Sequence, residues 1–362
     1  MKIDFVIGRL KAGGAERVVS LLANYFASKG HTVRIITFIE GDDYKLDPRI
    51  ERIKLHKKLI VNFVVVRGFF FLLSYYFKKK NRPDIISSHI DFVGYATIIP
   101  SKLYKIRVVV SEHFNHLNQE PSLLRSLLWH VLYRLPDAVT VLTKFDIPFF
   151  TKKTKRVLVM ENPCSFEPID DLNSQRKKTI LTVGNLDRYH HKGFDNLLQI
   201  ASQVFKNHPD WKLKIVGGGD DGLKILKKMA TDLKIEKQVK FLGYRNDIKE
   251  LMSQAEIYVL SSRHEGLPMV LIEAMSQGMA CISYDCVSGP SDIIEHGTNG
   301  ILVADQNKAA MTTELNKLID NEDLRQSLRN NSLKSLDKFT MENVGNKWMR
   351  LFNDLLDPKK AS

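Results

Sequence analysis

Glu265 and Glu273 stand with seven residues between them in the run Arg263-His264-Glu265-Gly266-Leu267-Pro268-Met269-Val270-Leu271-Ile272-Glu273. Two carboxylates so placed can accept hydroxyl hydrogen bonds or favour positive charge nearby. Gly266 permits a tight loop, and Pro268 suits the opening of a helix. Helical spacing then brings Glu273 round to the side of the loop's mouth. An acid near a helix start also has a plain structural reading, since the macrodipole favours negative charge there. Lys192 stands near the end of a second glycine-bounded stretch, Gly184 to Gly193. His89 and His113 each follow an apolar, strand-like run, so each is a candidate ligand or proton carrier as well as a structural hydrogen-bonder. Gly13 and Gly14 precede the periodic stretch Ala15 to Ser28, where free helix N–H groups would suit a phosphate. The pattern G-x-G-x-x-G is absent there, so this is not a dinucleotide fingerprint.

Alternating elements must position these residues. Apolar runs at Ile3–Gly8, His31–Phe38, Asp84–Ser88, Arg107–Ser111, Ala138–Leu142 and Arg156–Met160 read as strands, with helical stretches between them. The polar run Phe166 to Lys178 reads as a linker. The same grammar restarts with strands at Thr179–Val183, Lys212–Val216, Val239–Gly243, Glu256–Leu260 and Ala280–Tyr284. Glycine-rich loops follow several of them, including Gly217-Gly218-Gly219 and Ser288-Gly289-Pro290. His296 to Gly300 reads as a hairpin-like turn into Ile301–Val303, and Lys308 to Leu356 as helical. The expectation is α/β, with two Rossmann-like halves, a parallel sheet in each, and ligands at the carboxyl edge of the strands.

A chain of 362 residues is long for one core and suits two domains. Residues 1–165 hold 27 Lys+Arg against 14 Asp+Glu, whereas the remainder is balanced at 27 each, so the whole net charge of +13 lies in the first half. That split implies a polyanionic partner: nucleic acid, an anionic membrane surface or a phosphorylated substrate. Three cysteines without CxxC spacing argue against a disulfide framework or structural zinc, and point to a reducing compartment. The N-terminus runs directly into a strand, which does not read as a signal peptide. Leu59 to Phe77 is apolar and aromatic, interrupted by Arg67 and Gly68 and followed by Lys78-Lys79-Lys80-Asn81-Arg82. A central arginine costs about 2.5–3.5 kcal/mol in a membrane span. The segment reads as a helix with one face in the core, suited to interfacial membrane contact.

In order along the chain, Gly13-Gly14-Ala15-Glu16-Arg17, Ser111-Glu112-His113, Glu161-Asn162-Pro163, Val183-Gly184 to Lys192-Gly193, the glycines from Gly217, Phe241-Leu242-Gly243, Glu265-Gly266-Leu267-Pro268 to Glu273, and Ser288-Gly289-Pro290 resemble the retaining glycosyltransferases of family four. The likeness spans the whole length and is nearest to bacterial enzymes of capsule, exopolysaccharide and lipid-linked glycan synthesis. It implies the GT-B fold, two Rossmann-like domains facing across a cleft. An acceptor-side domain would cover residues 1–165, a donor domain 166–340, and a C-terminal helix at 341–362 would return to the first domain. It implies a nucleotide-diphospho-sugar donor, a UDP-sugar above others, a saccharide acceptor on polyprenyl diphosphate, no cofactor and no metal. The setting implied is cytoplasmic, peripheral on the inner face of the plasma membrane, with no nucleic acid as partner.

The resemblance also assigns roles. Lys192 would meet charge growing on the leaving phosphate. Glu265 would hold the donor sugar, Glu273 the ribose hydroxyls, and His113 would stand near sugar and acceptor. Gly13 and Gly14, with Gly266 and Leu267, would offer backbone donors to the donor substrate, and Tyr244 and Arg245 would neighbour the base. The family's arginine after the loop glycine is replaced by Asn185, with Arg188 three residues on as the candidate substitute. Asp220 and Asp221 read as structural. A sugar-nucleotide 2-epimerase of the same architecture is the alternative. A nucleic-acid binder would need basic residues interleaved with stacking aromatics, and here the aromatics precede the basic cluster.

Overall fold

The computed structural model describes residues 1–11, 13–56, 63–172 and 174–357. Its strands are β1 (Lys2–Ile7), β2 (Thr32–Thr37), β3 (Glu51–Lys54), β4 (Ile85–His89), β5 (Arg107–Ser111), β6 (Ala138–Val141), β7 (Val157–Val159), β8 (Lys177–Val183), β9 (Lys212–Val216), β10 (Val239–Phe241), β11 (Ala255–Leu260), β12 (Ala280–Asp285) and β13 (Ile301–Ala304). The helices of the first half are α1 (Gly14–Ser28), α2 (Val64–Phe77), α3 (Val93–Leu103), α4 (Leu123–His130) and α5 (Ile147–Phe150). Those that follow are α6 (Phe194–Asn207), α7 (Asp220–Asp232), α8 (Ile248–Gln254), α9 (Met269–Ser276), α10 (Pro290–Ile293), α11 (Lys308–Asp320), α12 (Glu322–Ser335) and α13 (Met341–Leu356).

Two compact units result: one of Met1–Pro163 with Phe339–Ser362, the other of Cys164–Lys338. The first holds a sheet of order β3-β2-β1-β4-β5-β6-β7, the second a sheet of order β10-β9-β8-β11-β12-β13. Every strand pairing in both is parallel. Strands covered on both faces read as continuous β-branched runs, and their loops emerge together at the carboxyl edge. Val6, Ile36, Ile86 and Val108 pack with Leu72 and Tyr76 of α2 in the first unit. Ile180, Leu213, Ile257 and Ile282 pack with Leu197 and Leu226 in the second.

α2 buries Gly68, Leu72 and Tyr76, one stripe at i, i+4, i+8, and turns its other faces outward. The expected start of this segment at Leu59 lies outside the described residues. None of the helices among the described residues is long and apolar enough to cross a membrane. A buried ion pair anchors the helix's end: Asp4 takes Arg34 at 2.6 and 2.7 Å and the Tyr76 hydroxyl at 2.8 Å.

Two sequence expectations change, one strand was missed, and one helical run divides. β3 went unread, because Glu51-Arg52-Ile53-Lys54 has one apolar residue and only an edge position makes it a strand. Ile301–Ala304 is no hairpin arm but pairs parallel with β12. The helical run from Lys308 to Leu356 holds three helices, separated where the side chains of Asn321 and Thr340 cap new N-termini. The polar run Phe166 to Lys178 is not a free linker: its first strand residue is Lys177, and Ile169 N–H bonds the Ser276 carbonyl at 2.8 Å. Within that run, buried Arg176 donates to the carbonyls of Ala255 (2.9 Å) and Gln277 (2.7 Å), capping the ends of α8 and α9. Asn173 in that run, and 358–362 beyond α13, lie outside the described residues.

Candidate active site

In the second unit, the loop after β8 and the loop after β11 are bolted together. Ser261 Oγ donates to the Lys192 carbonyl at 2.9 Å, and the Arg263 amide donates to the His191 carbonyl at 2.9 Å. The Arg263 guanidinium forks onto Asp195 Oδ1 and Oδ2 at 2.8 and 2.9 Å, which ties the loop to the first turn of α6. Gly193 sits at φ +66°, and a Cβ there would run into the Ser261 carbonyl oxygen, so only glycine lets the two loops touch. The result places Lys192 Nζ 2.8 Å from Glu265 Oε1, with both side chains mostly covered. Burial drives the Glu265 carboxyl up, but the charge and hydrogen bond of Lys192 beside it work the other way, and the carboxyl lies below its ordinary range. His191 is pushed down to about 4 by burial and by the charges of Arg188 and Lys192. On the other side, Ser288 Oγ reaches the Glu265 carbonyl at 3.3 Å, and Gly289 at φ +97° presses on the Gly266 carbonyl.

Glu273 lies in the body of α9, 1% exposed, with Ser165 Oγ donating to its Oε1. Leu267 is buried and Pro268 caps α9. The glycine loop after β9 is packed on the loop after β8: Leu186 N–H bonds the Gly218 carbonyl at 2.8 Å, and the Gly217 amide bonds the Gly243 carbonyl at 2.9 Å. Tyr244 therefore stands beside this loop, largely exposed. Arg245 is instead engaged with Asp247, Nε to Oδ1 at 2.7 Å. Asn185 is exposed and shapes the turn, its Oδ1 accepting from the Asp187 amide at 2.8 Å. Arg188 lies exposed one turn on, where its carbonyl accepts the Lys192 amide at 2.9 Å and its charge is felt by His191. Asp220 and Asp221 occupy the exposed first turn of α7, a helix-dipole position.

In the first unit, His113 follows β5 by two residues, and its Nε2 lies 2.9 Å from Nδ1 of buried His89, the last residue of β4. His89 Nε2 in turn meets Ser87 Oγ at 2.9 Å. Burial pushes His113 down to about 4, and burial with the neighbouring imidazole lowers His89 well below its ordinary value, so both are neutral at pH 7. Trp348 of α13 and Phe5 of β1 flank the His89 ring at 5.9 and 5.8 Å. Glu112 is buried, accepting from Tyr133 at 2.5 Å and Trp129 at 3.2 Å; burial and Asp91 push its carboxyl up to about 8. Gly13 precedes α1, its amide donating to Tyr44 Oη at 2.9 Å. The Glu16 carboxylate folds over Gly13, while Gly14 is exposed with open space around its Cα.

Each unit thus gathers its candidate residues at one carboxyl edge: Lys192 with Glu265 in the second, His113 with His89 in the first. Sequence reasoning missed Ser165, Ser87, Tyr44 and the Arg263–Asp195 fork. Arg263 stood inside the quoted motif, but its partner is sixty-eight residues away, and nothing local marks Asp195.

The second unit matches the family model described as glycosyl transferases group 1 at residues 167–335, and the first matches glycosyltransferase family 4 at residues 12–147. A Haemophilus influenzae protein named only as an uncharacterized glycosyltransferase is 30% identical over 96% of this chain and 98% of its own length. A Campylobacter jejuni α-1,4-N-acetyl-D-galactosaminyltransferase acting on an undecaprenol-diphosphate-linked glycan is 29% identical over 98% of this chain and 99% of its own. Among solved structures, Anabaena HepE in complex with UDP and glucose superposes with a TM-score of 0.79 at 18% identity, covering 98% of this chain and 99% of that one, a likeness of fold. With a 30% identical relative matched end to end and a family model on each unit, the chain belongs to the group 1, family four glycosyltransferases and has their GT-B fold.

Proposed function

We propose that this glycosyltransferase moves a hexosyl or N-acetylhexosaminyl group, with retention of configuration, from a UDP-sugar to a saccharide acceptor carried on a lipid diphosphate. The Lys192–Glu265 pair carries this reading: a covered ammonium and a covered carboxylate 2.8 Å apart, on two loops locked to each other. As the sugar–phosphate bond breaks, negative charge grows on the leaving diphosphate, and a fixed ammonium lowers that barrier without reorganising. Lys192 has that role, with Arg188 as its exposed helper, so no metal ion is needed to neutralise the leaving group. Glu265, kept ionised by Lys192, accepts hydroxyls of the donor sugar and favours positive charge at its anomeric carbon. Glu273 accepts the vicinal ribose hydroxyls, oriented by Ser165. The backbone of Gly266 and Leu267 faces the donor, Tyr244 borders the base, Gly13 and Gly14 face the diphosphate, and His113 serves the sugar and acceptor. The UDP held by HepE and the undecaprenol-linked substrate of the Campylobacter relative support the choice of donor and acceptor class.

The acceptor's lipid places the enzyme at a membrane surface. Exposed Phe63, Phe70 and Phe77 on and beside α2, ahead of Lys78–Lys80, and exposed Leu123, Leu124 and Leu127 on α4 suit the interface of an anionic bilayer.

Isothermal titration with a panel of UDP-, GDP- and ADP-sugars tests the donor: UDP-sugars should bind, and exclusive binding of a GDP- or ADP-sugar would sink the UDP assignment. Products decide the reaction. Free UDP with an elongated lipid-linked acceptor is expected, whereas an epimerised UDP-sugar with no acceptor requirement would establish the 2-epimerase alternative.

A further inference from the structure

The row Ser87, His89, His113 holds information that neither its residues nor the family match states: which nitrogen of His113 carries the proton. Ser87 and His89 sit two apart on β4 and so share one face of the sheet, and His89 is in register with Ser111 of β5, two residues before His113. Ser87 and His89 are completely buried. Among the described residues, the bond to His89 Nε2 is the one hydrogen bond of the Ser87 hydroxyl. A serine hydroxyl can donate or accept. Were it to accept, its own proton would be left in a dry site with nothing to bond. Donation leaves only an unused lone pair, the deficit that protein interiors tolerate better. So Ser87 donates, and His89 Nε2 is an acceptor. A neutral imidazole with an unprotonated Nε2 carries its proton on Nδ1. That Nδ1–H points at His113 Nε2, 2.9 Å away, which must then accept. The chain of bonds has one end left, Nδ1 of His113, and it bears the proton.

We infer that Ser87 and His89 are positioning residues that fix His113 as its Nδ1–H tautomer, so that His113 presents a hydrogen-bond donor to an oxygen lone pair of the sugar substrate instead of acting as a general base. Its use on a sugar rests on the transferase role proposed for His113; the tautomer does not. Trp348 and Phe5 wall the His89 ring, so neither water nor a ring flip offers an easy exchange of roles.

Long-range proton–nitrogen correlation spectra of the full chain, labelled with 15N-histidine at pH 7, read the tautomers directly. His89 and His113, assigned by loss of their signals in His89→Phe and His113→Asn, should both be protonated at Nδ1. An Nε2–H signature at either overturns the inference. In His89→Phe the His113 signals should become those of mixed tautomers, with melting temperature confirming a folded chain; an unchanged pure Nδ1–H signature would remove the positioning role of His89. Turnover of the UDP-sugar identified by titration separates donor from acceptor at His113. Asparagine puts an N–H where Nδ1 lies and aspartate puts a lone pair there. His113→Asn should stay within about tenfold of the unaltered enzyme, and His113→Asp should fall about a hundredfold or more. The reverse order would overturn the donor assignment. Should His113→Ala turn over normally while the Nδ1–H signature stands, the transferase role of His113 fails and the tautomer inference survives.

Discussion

The two units share an architecture, a parallel sheet with its working loops at the carboxyl edge, and diverge at their surfaces. Among the described residues, fifteen of the eighteen exposed large apolar side chains fall between Ile39 and Phe145; only Ile225, Tyr244 and Val287 lie in the second unit. The same first half carries all of the net charge. Apolar exposure and positive charge oppose each other on an ordinary soluble surface, where charge is spread to keep apolar patches apart. Both fall on one unit, the combination on which the proposed membrane role rests. Both units bury ion pairs, Arg34–Asp4 in the first and Lys192–Glu265 in the second, where the pair joins the loops after β8 and β11. The units thus differ in exposed apolar groups and net charge, both gathered on the first.

The largest effect should come from the second unit's paired ions. Lys192→Ala should lower turnover of the UDP-sugar by about 10²–10³-fold, the usual consequence of removing one preorganised charge or donor at a developing anion. Glu265→Gln should mainly slow the chemical step, and Glu273→Gln should mainly weaken donor binding. Kinetic traces under saturating donor distinguish them, and the opposite pattern for the two glutamates would reverse their assignment. Arg188→Ala gives a finer reading: unaltered turnover there would leave Lys192 as the sole cation and end the substitution for the missing arginine at Asn185.

Charge on the first unit should give the next effect. A basic side chain near an anionic surface contributes about 1 kcal/mol. The triple change Lys78→Ala, Lys79→Ala, Lys80→Ala should therefore weaken binding to anionic vesicles about a hundredfold at low salt and leave binding to neutral vesicles unchanged. Equal sedimentation of the unaltered chain with neutral and anionic vesicles would count against the membrane role and reduce the comparison to one of solubility.

Apolar exposure should matter less per residue. Leu123 is 91% exposed at the start of α4, so its replacement removes almost no packing. Leu123→Ser should lower vesicle affinity about fivefold to tenfold, the partial burial of one leucine, at an unchanged melting temperature. A fall in melting temperature with no change on vesicles would place Leu123 in the unit's own packing.

These contrasts were unevenly legible in the residue order. The parallel sheets were readable because doubly covered strands are continuous runs such as Val108–Val110 and Ile257–Leu260, and β9 was located to the residue. Glu51–Lys54 was not, since an edge strand is defined by its neighbour and not by its own pattern. The candidate site was legible where glycine and charge cluster locally, as in Glu265-Gly266 and Lys192-Gly193. What holds it was not: Ser261 on Lys192, Arg263 on Asp195 and Ser87 behind His89 are long-range or single-hydroxyl contacts, which no local spacing encodes. Arg176 was passed over for the same reason, a polar residue in a polar run whose carbonyl partners lie far along the chain.

Proton linkage gives a further test, confined to the first unit. Buried Glu112 is held up to about 8 from an ordinary 4.5, first by burial and then by Asp91. Between those values the folded chain keeps a proton that the unfolded chain has released, so unfolding free energy falls as pH rises through the window. His113 works the other way: lowered from 6.5 to about 4, it adds stability as pH rises across that lower range. Above an ordinary histidine value the two no longer compete, and the Glu112 slope stands alone until about pH 8. Urea unfolding at several pH values in this upper window should show the unaltered first unit losing stability with rising pH. Glu112→Gln keeps an acceptor for Tyr133 and Trp129 but has no proton to lose, so its profile should be flat there. A slope that survives in Glu112→Gln would mean that another group titrates, and Glu112 would then be an ordinary ionised carboxylate held by its two aromatic donors.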